Sequence, residues 1–339
     1  MFATLSLPAC QELPATRRAP TVRVRSANEL QTALRQARQH AVTLDGRSLD
    51  RVLRMDAARG LLEVQAATTW SELSRYLAAR KIALDAFDGM AGLPATVGEA
   101  IAQAAAGPDG LPVTAHVVAV ALVTPDGELR RADRDGNAEL LRLVLGGQGV
   151  IGVPYSVTLS INSLQRSAAN ALTPVELGIE ARAPAPAAAS AIEYLLPPEA
   201  MEGFLQAIRA YFDERRFTLL GISVRRHLAD DSCLLNWSTR EWVGVEIRFG
   251  VKATLGASVA AAQARRALLD AALARGGSFP LRHAQDASRR QLDACHPMLR
   301  GFLAEKRRGD AAERLQNDWY RGVTAKLRGE ACESRWGNN

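Results

Sequence analysis

The chain has 339 residues, of which 47% are hydrophobic, 23% charged and 5% aromatic. This excludes a disordered or collagen-like polypeptide and provides for two domains, or one large domain with an appended one. Its 42 basic residues include four lysines, and the net charge of +6 is scattered rather than clustered among aromatic residues, so no nucleic-acid surface is expected.

No apolar run reaches the roughly 18 residues of a membrane span. Cys10, Cys233, Cys295 and Cys332 lie far apart with no C-x-x-C pair, and the five histidines show no ligand spacing. Neither a structural metal nor a disulfide framework is expected, and the chain reads as cytoplasmic.

Ser26-Ala27-Asn28-Glu29 is a capping box that opens a helix to about Arg38, and Val42 to Asp45 follows as a short strand. The runs 52–56 and 61–66 flank Ala57-Ala58-Arg59-Gly60 and predict a hairpin with glycine at its tight point. A second capping box, Thr69-Trp70-Ser71-Glu72, starts a helix to about Ala79. Thr96 to Ala106 reads as a small alanine-rich helix. Val117–Val123 and Glu128–Arg131 enclose the turn Pro125-Asp126-Gly127. Asn137–Leu145 is predicted helical, and Pro154–Ile161 alternates as a strand.

This succession is α+β rather than regularly alternating βαβ. Residues 164–190, with Arg182-Ala183-Pro184-Ala185-Pro186-Ala187, read as a linker. Beyond it, helix 198–214, strands 219–227 and 243–249 and helix 258–274 form a sheet-and-helix layer, and a charged helical tail follows from Ser288.

Gly147-Gln148-Gly149-Val150-Ile151-Gly152 satisfies G-x-G-x-x-G, but a helix enters it and a strand leaves. A dinucleotide fingerprint needs the reverse order, so that a helix N-terminus faces the pyrophosphate. Two readings remain open: a glycine-rich helix stop without ligand, or a loop whose lack of side chains lets another kind of nucleotide press against backbone.

In this order along the chain, several segments resemble one family. Leu44-Asp45-Gly46-Arg47-Ser48-Leu49-Asp50-Arg51-Val52-Leu53-Arg54-Met55-Asp56 looks like the "LDLSGLNRVLRVD" stretch of FAD-linked oxidases of the vanillyl-alcohol oxidase / p-cresol methylhydroxylase (PCMH) type. Thr96-Val97-Gly98-Glu99-Ala100-Ile101-Ala102 is similar to "TVGGAIA", Pro125-Asp126-Gly127-Glu128 to the "ADGE" hairpin, and the 145–153 turn to "GGxGLTGVI". Lys306 to Asp310 and Arg314 to Tyr320 look like "KRxxDPxxRFQNxxY". Within it the segments look most like those of sugar, alditol and aldonolactone oxidases and decaprenylphosphoryl-ribose-oxidase-like proteins.

The resemblance implies a shortened two-subdomain PCMH-type FAD-binding domain at 20–163, the linker 164–190, an α/β cap or substrate domain at 191–287, and a helical tail, 288–339, returning to the first domain. It implies FAD as cofactor and oxidation of a hydroxylated, sugar-like small molecule by hydride transfer, with a quinone or protein among the possible electron acceptors. Thr96, Val97 and Gly98 would approach flavin and diphosphate, Gly146, Gly147 and Gly149 would border the cofactor, Val153 would meet the adenine end, and Asn317 would act as a positioning residue. His283 would be the base, since histidine titrates nearest neutrality.

The sequence also departs from the family. The first diphosphate loop is missing between the opening helix and Val42, Glu99 replaces a glycine, Ala106 stands where a histidine is usual, and Pro154 has no N–H to offer an adenine edge. The alternative these departures raise is a flavin-free or weakly FAD-binding relative that serves as a non-catalytic partner or scaffold.

Overall fold

A computed structural model describes residues 20–37, 42–90, 92–177, 188–215, 217–252 and 254–333. The chain divides into two units. Unit 1 comprises Met1–Ala171, Asp230–Asn236 and Met298–Gly322, and unit 2 comprises Leu172–Ala229, Trp237–Pro297 and Val323–Asn339.

Unit 1 opens with strand β1 (Thr21–Arg23), helix α1 (Ala27–Gln36) and strand β2 (Thr43–Asp45), with β1 and β2 paired in parallel. Ser26 Oγ accepts from the Glu29 N–H, so the N-cap forms, but Glu29 reaches back to the Arg25 N–H rather than to that of Ser26, and the expected box is not closed. Leu30, Ala33 and Leu34 of α1 are buried in a cluster with Val24, Leu44, Leu49, Val123, Val153 and Leu315. Each fully buried leucine there contributes about 2 kcal/mol. Six residues lie between α1 and β2, too few for a further strand and a diphosphate loop.

The larger sheet of unit 1 takes β3 (Val52–Asp56), β4 (Leu61–Gln65), β5 (Val117–Val123), β6 (Leu129–Asp133) and β7 (Val153–Ser160) in the antiparallel order β3-β4-β7-β5-β6. Gly60, at φ +64°, turns the β3–β4 hairpin. Helix α2 (Trp70–Ala78) starts at the complete Thr69–Glu72 capping box.

Helix α3 (Val97–Ala102) is shorter than its alanine-rich sequence predicts. Ala104 adopts φ +47°, and the Ile101 and Ala102 carbonyls accept the N–H groups of Gly146 and Gln148. Acceptors that would have continued the helix are thereby taken by a distant turn. Helix α4 (Ala138–Val144) leads into that turn. The expected linker is partly structured: helix α5 (Ile161–Ala169), capped by Ser160 and buried through Ile161 and Leu164, occupies its start. The Ala/Pro run 182–187 lies outside the described residues.

Unit 2 is built on a four-stranded antiparallel sheet of β8 (Val175–Leu177), β9 (Ala188–Leu196), β10 (Leu219–His227) and β11 (Trp242–Val251), ordered β8-β10-β11-β9. Helix α6 (Met201–Arg215) follows β9, and helices α7 (Leu255–Leu273) and α8 (Arg289–Cys295) follow β11. Tyr194 of β9 stacks edge-on against Phe204 of α6, 5.4 Å between centroids, and its hydroxyl donates to the Arg265 carbonyl of α7. Phe249 of β11 meets Phe212 of α6 at 5.4 Å. One sheet face is therefore covered by helices. Since strand residues alternate, Glu193 and Glu246 project from the other face.

Helix α9 (Leu299–Gly309) buries Lys306, whose ammonium pairs with Asp310; the Asp310 carboxylate also accepts from the Arg314 and Leu315 amides at 2.9 Å. The last helix is α10 (Asp318–Glu333). Among the described residues no helix is long and apolar enough to cross a membrane, and no group of three or more His, Cys, Asp or Glu could hold a metal ion.

Candidate functional site

In unit 1 the residues singled out by sequence converge on one turn. α4 stops at Gly146 (φ +68°), the chain reverses through Gln148 (φ +54°) and Gly149 (φ +72°), and β7 departs. Glycine is required at two of these positions because a side chain is strained at positive φ. Gly147 is needed for space: a Cβ there would lie 2.1 Å from the Leu143 carbonyl oxygen. Gly149 is the open position, with nothing within 4 Å of where its Cβ would be.

Two clamps hold the turn. Gly146 and Gln148 donate to Ile101 and Ala102, and Asn317 Nδ2 donates to the Gln148 carbonyl at 2.7 Å while its Oδ1 accepts from the Tyr320 N–H. Asn317 thus joins the tail to the turn and has both ends of its amide engaged. The Asn317→Ala variant is expected to lose about 2 kcal/mol in urea unfolding, with faster amide exchange around Gly149 and Val150. Native exchange rates in that variant would remove the clamp assignment.

Thr96, Val97 and Gly98 reach the same neighbourhood through α3 but are turned to structural use. Thr96 Oγ1 accepts from Glu99, Val97 donates to the Thr68 carbonyl and Gly98 to the Ala66 carbonyl at 2.8 Å. A Cβ on Gly98 would lie 2.6 Å from that Ala66 oxygen, so this glycine permits close packing of α3 on the chain after β4. Val153 is buried in the α1 cluster, which places its side chain in the core rather than at the edge of a ligand. Glu99 is half-buried rather than enclosed, in the first turn of α3, where the helix dipole favours a carboxylate. Unit 1 also includes Asp230–Asn236. Within it Ser232 Oγ bonds Thr114 Oγ1 at 3.0 Å, and Cys233 lies 3.3 Å from where a Gly146 Cβ would be. Burial pushes the Cys233 thiol up to about 11, so it is inert near neutrality.

Unit 2 carries a buried charged cluster on the sheet face opposite α6 and α7, and sequence reading passed over most of it. Glu193 Oε1 lies 2.8 Å from His227 Nε2 and 4.0 Å from Arg225 Nε, and Glu193 Oε2 lies 2.5 Å from Arg282 Nη2. Burial opposes the Glu193 charge, but His227, Arg282 and Arg225 outweigh it and hold the carboxyl well below its ordinary range. Gly244 makes the arrangement possible: a Cβ there would stand 2.3 Å from His227 Nε2 and 2.6 Å from Glu193 Oε1.

His283 lies beside this cluster, in a short 3-10 turn at 281–283, and its Nε2 accepts the Glu193 backbone N–H at 3.4 Å. Burial, assisted by Arg282, pulls its pKa down to about 3. That ring stays neutral near neutrality with one nitrogen already engaged, which makes it a poor proton acceptor. The signal that could have exposed the cluster is the alternation Ser223, Arg225, His227 along β10, polar residues at period two, with Arg226 the strand's one other polar residue.

Residues 21–133 match the family described as FAD binding domain. Among solved structures, alkyldihydroxyacetonephosphate synthase in crystal form P212121 superposes with a TM-score of 0.59 at 10% identity, covering 89% of this chain and 78% of that one. Its P1 form gives 0.56 at 10% identity, covering 87% and 76%. At such identity the likeness is one of fold. No curated protein sequence matches. The α+β class and the PCMH-type architecture expected from the motifs hold.

Proposed function

We propose, with residues 21–133 an FAD binding domain of the FAD-linked oxidase type and FAD its cofactor, that the chain is an FAD-dependent oxidoreductase oxidising a hydroxylated, sugar-like small molecule. The observation that carries this reading is the glycine turn of unit 1, built on positive-φ residues, clamped by Asn317 and left open at Gly149. Only Gly149 has open space where a side chain would be, and a cofactor could approach the backbone of the turn there. Gly146, Gly147 and Gly149 are the residues that would hold it. When bound, FAD supplies a two-electron acceptor for hydride from the carbinol carbon.

The chain's own contribution lies in binding and orientation. The face of the unit 2 sheet opposite α6 and α7 carries Glu193, Ser223, Arg225, His227 and Glu246, hydrogen-bonding groups of the kind that bind hydroxyls, though Glu193, Ser223 and His227 are buried. That face supports the sugar-like substrate. The unpaired thiols Cys233 and Cys295 support a reducing, cytoplasmic setting.

A second reading, a non-catalytic partner protein, is favoured by one specific feature. Only six residues separate α1 from β2, and the Val97, Gly98, Gly146 and Gln148 amides all donate to protein carbonyls. Titration of the purified protein with FAD, followed by flavin absorbance, separates the two. Stoichiometric uptake, and bleaching under anaerobic polyol, is the expected result. A preparation that stays colourless in excess FAD overturns the enzyme and selects the partner protein.

A further inference from the structure

One face of the five-stranded sheet of unit 1 carries Leu62, Val64, Val157 and Leu159, all fully buried. Strand alternation sends their neighbours to the opposite face, which holds a cavity of about 220 Å³. Arg54, Asp56 and Arg59 of the β3–β4 hairpin line it, with Glu63 of β4, Thr158 of β7 and Arg131 of β6.

The register accounts for the cavity. Arg54 opposes Glu63, Glu63 opposes Thr158, Thr158 opposes Ala119 of β5, and Ala121 opposes Arg131. β5 thus brings only methyl groups to this face, and the middle of the sheet stays low. β3 and β6 lie four strand spacings apart, roughly 19 Å, yet arginines from both sides line the same space. The glycine turn is elsewhere: Thr158 stands five residues along β7 from Val153, roughly 17 Å away.

The lining is rich in donors. Thr158 is 6% exposed, and among the described residues its hydroxyl has no hydrogen-bond partner, whereas Ser156 on the same face donates to Glu63 Oε1 at 2.7 Å. Buried polar groups of native proteins are nearly always satisfied, so this hydroxyl points to a ligand. Arg54 and Arg59 approach Asp56 only to 3.8 and 3.9 Å, too far for hydrogen bonds, and Arg131 engages Asp133 through Nε at 3.3 Å. A guanidinium only donates, and its planar fork matches the oxygens of a carboxylate or phosphate. Three arginines against two carboxylates in the lining leave one positive charge over.

We propose that this cavity binds a small oxyanion, a molecule carrying a carboxylate or phosphate group, held by Arg54, Arg59 and Arg131 with Thr158 donating from the floor. The site is separate from the glycine turn and stands whether or not the chain takes up FAD.

Isothermal titration of the full chain with inorganic phosphate and, separately, with succinate is the test. One equivalent of anion is expected to bind. Arg131→Gln, and Thr158→Val, which keeps the side-chain shape and loses the hydroxyl, should each weaken binding about tenfold. Arg134→Gln removes an equal charge just beyond β6, outside the lining, and should bind as the native protein does. Urea unfolding checks that each variant is folded, and the exposed Arg131 carries the test if Thr158→Val is not.

Binding of phosphate alone assigns a tetrahedral oxyanion, and binding of succinate alone a dicarboxylate; either upholds the site. No heat with either anion overturns it, as does native affinity in Arg131→Gln or in folded Thr158→Val. A loss in Arg134→Gln as large as that in Arg131→Gln also overturns it, because the anion would then be answering only the general positive charge of the chain.

Discussion

Lowering the pH from 7 to 5 is expected to remove about 4 kcal/mol of folding stability, roughly 2 for each of two histidines, the half-buried His283 and the buried His296. Burial pulls His283 to about 3 and His296 to about 4, against an ordinary value of 6.5. His296 is enclosed, with its ring edge-on to Phe279 at 4.8 Å. Between pH 6.5 and about 4 the unfolded chain binds protons at these rings and the folded chain does not. Stability is therefore full above pH 6.5 and falls as the pH drops through that window. His116 of unit 1, also lowered by burial, acts in the same direction. A loss of that size is a large fraction of the 5–15 kcal/mol typical of a domain. Equilibrium urea unfolding at both pH values measures it, and His296→Phe, which keeps the aromatic volume, should remove about half of the pH dependence. An unfolding midpoint equal at pH 7 and 5 would show that the rings are protonated in the native state.

Gly147→Ala is expected to lose about 3 kcal/mol and, with it, the ability of unit 1 to take up FAD. The added methyl would stand 2.1 Å from the Leu143 carbonyl oxygen, a backbone atom at the end of α4 that cannot swing aside. The turn would have to shift, and its clamps on Ile101, Ala102 and Asn317 would shift with it. Gly149→Ala provides the contrast. Its methyl meets nothing within 4 Å, so only the φ of +72° resists it, for roughly 1 kcal/mol. Because Gly149 is the open edge, this variant should stay folded and still bind FAD more weakly. Urea unfolding and flavin titration read the two effects separately. Native FAD affinity in Gly149→Ala would move the cofactor away from this edge.

Local sequence carried the elements whose cause is local. The Thr69–Glu72 box forms as both of its hydrogen bonds require, the β3–β4 hairpin turns at Gly60, and β10 runs from Leu219 to His227 as its pattern predicts. α3 shows where local reading fails. Its alanines favour a longer helix, but Gly146 and Gln148, more than forty residues away, take the Ile101 and Ala102 carbonyls. Glu193 and His227 were invisible as a pair for a similar reason. They belong to different strands, and their juxtaposition depends on register and on the missing Cβ of Gly244.

By itself the amino-acid order determined the α+β class, the caps and hairpins, the glycine turn and a resemblance to FAD-linked oxidases, because each rests on residues adjacent in the chain. Tertiary structure alone decided that Gly98 serves packing, that Val153 belongs to the core, that His283 sits half-buried beside Glu193, and that Glu193 and His227 meet on one sheet face. These outcomes depend on which surfaces are removed from water and which distant backbone groups pair. Hydrogen-bond satisfaction and burial are properties of the assembled chain, and no local pattern encodes them.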